Sequence, residues 1–196
     1  MVRVQIAPVI VIPALVIIAQ FGVDYLTIWT GTISVPMQMM AGFPYPVELL
    51  FPAAVAVILA YGLWRYTGMG LAPTVIAALG LFLLPFGASY LLAFSIAVYL
   101  PFKIATVSDY SNALLSLRPA VEGFCRLLVL TVCAPTFRSV PLWLAVLLCW
   151  SGATVLLLVA YWDDVVAASY PTLVEIATLL GFVAVGYQFG RPPRTW

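Results

Sequence analysis

The sequence predicts an all-α, polytopic integral membrane protein of about five to six transmembrane or membrane-embedded helices, and three observations carry that prediction. Hydrophobic types make up 65% of the 196 residues and charged types only 8%. Water-facing domains carry roughly a quarter charged residues, so the solvent for most of this surface is lipid. The few charges are also spaced so that uncharged intervals of membrane-crossing length lie between them.

Taken in order, residues 4–23 form an uncharged run between Arg3 and Asp24. At about 1.5 Å per residue it spans a hydrocarbon core of roughly 30 Å. It outlasts the apolar core of an ordinary signal peptide and shows no small-x-small cleavage site. From Asp24 to Glu48 the chain is aromatic and punctuated by Gly31, Pro36, Gly42, Pro44 and Pro46, which predicts an interfacial loop. A second helix follows over 48–64, with Trp64, Arg65 and Tyr66 as an interfacial anchor and Thr67-Gly68-Met69-Gly70 as a turn. The uncharged stretch from Tyr66 to Phe102 is too short for two crossings and a loop. It reads as one long helix, about Leu71 to Leu100, with Pro73 in its first turn and Pro85 as a kink site.

Further segments are predicted over Ser111–Phe137, Ser139–Trp162 and Tyr170–Gly190, with Asp163-Asp164 interrupting and Arg191–Trp196 as a polar tail. With the amino terminus inside, Arg3, Arg65, Arg138, Arg191 and Arg194 all fall inside and only Lys103 is misplaced. No internal repeat or linker divides the chain, so residues 1–196 form a single helical domain.

Composition also excludes function classes. Eight Lys/Arg against seven Asp/Glu leave no basic footprint for nucleic acid. With no histidine there is no bis-histidine haem, His-ligated metal or Ser-His-Asp triad. Cys125, Cys133 and Cys149 form no CxxC pair, so neither a metal knuckle nor a disulfide framework is expected, and no cofactor is predicted.

Two places carry charge where lipid does not tolerate it. Arg118, Glu122 and Arg126 stand at i, i+4 and i+8, one stripe of a helix whose other residues are mostly apolar. A charge at bilayer depth costs about 2.5–3.5 kcal/mol on insertion scales and is normally paired or turned toward protein. Two readings stand: a local ladder near an interface in which Glu122 bridges both arginines and holds this helix against a neighbouring subunit, or an ion path faced by one arginine while Glu122 offsets the other. The second place is Glu175, alone between Val165 and Gly190. Apolar surroundings raise a carboxyl pKa, so it is either a proton relay or a static partner of Arg126 or Arg138. Asp163-Asp164 serves as an interfacial turn or cap, or as the mouth of an aqueous channel. Glu48 suits the first turn of its helix, and Gly80, Gly87 and Ser89 permit close helix packing.

Between about Leu114 and Tyr187 the chain resembles a divergent subunit a of F-type ATP synthases, the proton-channel stator subunit. Leu117-Arg118-Pro119-Ala120-Val121-Glu122-Gly123-Phe124-Cys125-Arg126-Leu127 is similar to that family's penultimate helix, and Leu173-Val174-Glu175-Ile176-Ala177 to its last. Where the family carries a polar asparagine and a glutamine, this chain has Leu130 and Phe182. The resemblance implies that Arg126 is the essential arginine facing a rotating ring of small subunits, each with a midplane carboxylate. It further implies that Glu175 lines a proton half-channel, with Arg118, Glu122, Asp163 and Asp164 as further polar candidates. Partners would then be the ring, other membrane subunits and lipid. The mitochondrial inner membrane is the expected location, with the bacterial plasma membrane as the alternative. Beside this stands a non-catalytic structural subunit of another respiratory or photosynthetic complex.

Overall fold

The computed structural model describes residues 5–33, 46–99, 121–134, 137 and 170–191. Among these the regular structure is helical throughout: α1 (Ile6–Ile33), α2 (Pro46–Thr67), α3 (Leu71–Tyr99), α4 (121–133) and α5 (Tyr170–Phe189). Three stretches, Ile6–Leu26, Leu49–Thr67 and Leu71–Ser89, are long and apolar enough to cross a membrane.

Two boundaries differ from the sequence expectation. Helix α1 runs through the predicted loop as far as Ile33. The run Tyr25–Ile33 has no proline, and Gln20 Nε2 donates to Asp24 Oδ1 one turn on (2.8 Å), a pair compatible with helix. Continuing the helix pairs each amide from Tyr25 to Ile33 with the carbonyl four residues back, which offsets the roughly 1 kcal/mol cost of Gly31. Helix α2 begins at Pro46, where a proline costs no hydrogen bond, and takes in Arg65, Tyr66 and Thr67. It stops at Gly68, whose φ of 70° is the left-handed conformation that terminates helices. Helix α3 is the single long helix predicted, starting where the Thr74 amide and hydroxyl both donate to the Gly70 carbonyl.

The prolines inside helices, Pro13, Pro52 and Pro85, are all buried. Each deprives the carbonyl four residues back of its usual donor, and each faces the protein interior, so the disruption stays within the packed bundle. Hydroxyls follow the same rule: Ser89 donates to Pro85 O (2.8 Å), Thr131 to Leu127 O (2.7 Å) and Thr67 to Leu63 O.

Helix α1 packs along α5 and α2, and α2 along α3. The Gln5 amide donates to the Gly190 carbonyl (2.8 Å), so the start of α1 meets the end of α5 and the two run antiparallel. Phe189 near the end of α5 touches Gly62 and Tyr66 of α2, and packs edge-on against Phe137 with ring centroids 5.1 Å apart. One end of the bundle therefore gathers the start of α1, the ends of α2 and α5, and Phe137. Arg65 and Arg191 both lie at this end. The core beneath is built from Ile12, Val55, Leu59, Leu63, Leu81, Leu127, Leu130, Phe182 and Val185.

Candidate functional site: a buried ion pair

Helix α4 has two unlike faces. Phe124, Leu128 and Val132, one turn apart, are exposed, Val132 to 75%. Glu122, Arg126 and Leu130 form the opposite stripe and are buried, with Arg126 5% and Leu130 0% exposed. The i, i+4 spacing read from the sequence thus becomes an inward-facing row, and Arg126 Nη2 donates to Glu122 Oε2 at 2.5 Å. A charge-assisted bond between ionised partners is about twice as strong as a neutral one, and here it joins groups that lipid and core both exclude.

The pair lies deep. Val129 packs where a Cβ on Gly80 would sit, 3.6 Å from Val129 Cγ1. Gly80 is about 14 Å along α3 from Leu71 at the arginine-bearing end, which places Arg126, one turn deeper, about 18 Å in. That level falls within Leu71–Ser89, the stretch of α3 long and apolar enough to cross a membrane. Arg126 Nε is buried with no hydrogen-bond partner among the described residues, so within them the guanidinium keeps one donor in reserve. Gln188 Oε1, on a side chain 3% exposed near the end of α5, is likewise without a donor.

Of the other predicted site residues, Arg118, Asp163 and Asp164 lie outside the described residues. Glu175 belongs to the backbone of α5, five residues after Tyr170, and its side chain is outside the described set. Glu48 is likewise placed only as the third residue of α2.

The tight helix approaches fall at other glycines than those singled out in the sequence. A Cβ on Gly80 would meet Val129 at ordinary contact distance, and one on Gly87 would meet nothing within 4 Å. At Gly186 it would lie 2.4 Å from the Pro8 carbonyl oxygen, and at Gly62 2.7 Å from the Phe189 ring. The sequence signal for the first is Gly186-Tyr187-Gln188-Phe189-Gly190, a small-xxx-small spacing that lets backbones approach.

Comparison with protein-family models, curated proteins and solved structures finds no match to this chain.

Proposed function

We propose that the chain is a multi-pass, non-catalytic membrane subunit in which the Glu122–Arg126 pair holds α4 against the rest of the bundle. The observation that carries this reading is direction: the pair faces the core, Arg126 is closed by a carboxylate on its own helix, and the lipid-side stripe of α4 is wholly apolar. Membership of a larger energy-conversion complex comes from the family resemblance alone. Exchanging the charges, Glu122→Arg with Arg126→Glu, tests the structural role. The exchanged protein should accumulate in membranes and retain the partners that co-purify with the wild type. Loss of accumulation or of those partners would overturn it.

One observation favours a second reading, the stator subunit of an F-type ATP synthase in the mitochondrial inner or bacterial plasma membrane. Among the described residues Arg126 keeps an unused donor, Nε, which a further carboxylate would satisfy. On that reading a ring of small subunits co-purifies with the chain, and Arg126→Ala abolishes coupled proton transport while Arg118→Ala does not. The charge exchange separates the two readings, because a stator with glutamate at 126 assembles but conducts no coupled current.

A further inference from the structure

We infer that the bundle end formed by α2 and α5 is a binding site for the headgroup of an anionic phospholipid, with Arg65 and Arg191 as its cationic side chains. The helix ends that carry them touch: Tyr66, next to Arg65, has its ring 6.4 Å from that of Phe189, two residues before Arg191. Arg65 is exposed in the last turn of α2, and neither arginine pairs with a carboxylate among the described residues. The described carboxylates are far away in depth. Asp24 stands about 27 Å along α1 from Ile6, at the opposite end, and Glu122 is buried deep in the bundle. The end is therefore positive with nothing in the described chain to answer it.

The surroundings suit a lipid rather than a free ion. Trp64, 52% exposed, and Tyr61 flank Arg65, and the Arg191 guanidinium lies over the Tyr187 ring, 5.0 Å from its centroid. Amphipathic rings of this kind sit at headgroup level, with apolar bodies toward the acyl chains. The cation over the Tyr187 ring stays charged and keeps donors for phosphate oxygens. Just beneath, buried Gln188 Oε1 has no donor among the described residues, and a headgroup hydroxyl or a water carried with it can supply one. Clustered arginines at one membrane face attract anionic lipid by about 1 kcal/mol each, a factor of about five.

This inference rests on the helices lying in a bilayer and not on which subunit the chain is. The test is native mass spectrometry and thermal unfolding of the full chain, extracted from membranes and returned to vesicles of phosphatidylcholine alone or with phosphatidylglycerol. The wild type should retain phosphatidylglycerol preferentially and unfold at higher temperature in its presence. Arg65→Gln and Arg191→Gln should each lower retention about fivefold, the double variant should lose the preference, and Arg65→Lys should keep most of it. Asp24→Asn serves as the control at the other end and should leave the preference intact. Equal retention by the wild type and the double variant, both folded in phosphatidylcholine, would overturn the site. So would full reproduction of the stabilisation by inorganic phosphate in detergent. A chain that carbonate extracts from the membrane fraction would instead remove the bilayer reading itself.

Discussion

Adding one methyl group at Gly186 measures how closely α1 and α5 approach. The added Cβ would stand 2.4 Å from the Pro8 carbonyl oxygen and 3.0 Å from Pro8 C and Val9 Cα, while ordinary contact begins at 3.4 Å. All three obstacles are backbone, so no side chain can swing aside. Either α1 retreats by about 1 Å along this interface, or the overlap remains; both forfeit packing that nothing in lipid replaces. Retreat also strains the Gln5 to Gly190 hydrogen bond that closes the two helix ends. Overpacking of this kind costs about 1–3 kcal/mol, and the absence of a yielding partner puts Gly186→Ala in the upper half of that range. Gly22 and Gly87 have open space where a Cβ would go, so Gly22→Ala and Gly87→Ala should gain the few tenths to 1 kcal/mol that alanine brings to a helix. Unfolding of the set in one detergent, followed by circular dichroism, gives the order directly. If Gly186→Ala unfolds with Gly22→Ala, the α1–α5 contact is not as close as described.

Gly62→Ala should fall between them, because its obstacle is the Phe189 ring, hemmed by Tyr66 and Phe137 but able to tilt; the same unfolding series checks this. Glu122→Leu alone should cost about 3–5 kcal/mol, since it leaves the Arg126 guanidinium buried without its carboxylate, and accumulation in membranes should fall with it. Leu130→Ala should cost about 2–3 kcal/mol, mostly as a cavity, whereas Val132→Ala, on the exposed stripe of the same helix, should be within about 0.5 kcal/mol of wild type. Equal effects at 130 and 132 would mean that α4 is rotated from the orientation described.

Three helices have the length and apolarity to cross a membrane, and the proposed lipid surroundings account for what the sequence discloses and what it hides. Charges are so few that the gaps between them outline the helices: the predicted Leu71–Leu100 becomes Leu71–Tyr99, and 170–190 becomes Tyr170–Phe189. The end of α1 was illegible because the aromatic residues and the Gly31, Pro36, Gly42, Pro44 and Pro46 punctuation argue for a loop from Asp24 onward, while the first of these prolines comes only after Ile33, where the described helix ends. The inward and outward faces were illegible for a deeper reason. Leu130, fully buried, and Val132, 75% exposed, are equally apolar. With lipid outside and core inside, hydrophobic periodicity has nothing to distinguish. The Glu122–Arg126 pairing was legible as a spacing, but its direction was not, since the helical rule fixes which residues share a stripe and not where the stripe points.

That ambiguity gives the pair a role that energy of attraction alone does not describe. With α4 in a bilayer, as proposed, a half-revolution would exchange its buried and exposed faces, and Glu122 and Arg126 would then enter lipid at about 5–7 kcal/mol for the two together. On that reading the charges would act beside side-chain packing in setting the rotational register of α4, as single polar residues do in coiled coils. Replacing both with Glu122→Leu and Arg126→Leu removes a desolvation cost along with the attraction, so the double variant should match the wild type in stability or exceed it by about 1–4 kcal/mol. Its defect should be one of uniqueness. Single cysteines placed at 124 and 130, with the native cysteines removed, should label from lipid only at 124 in the wild-type background and at both positions in the double variant. Labelling confined to 124 in both backgrounds would show that side-chain packing, not the ion pair, holds the register of α4.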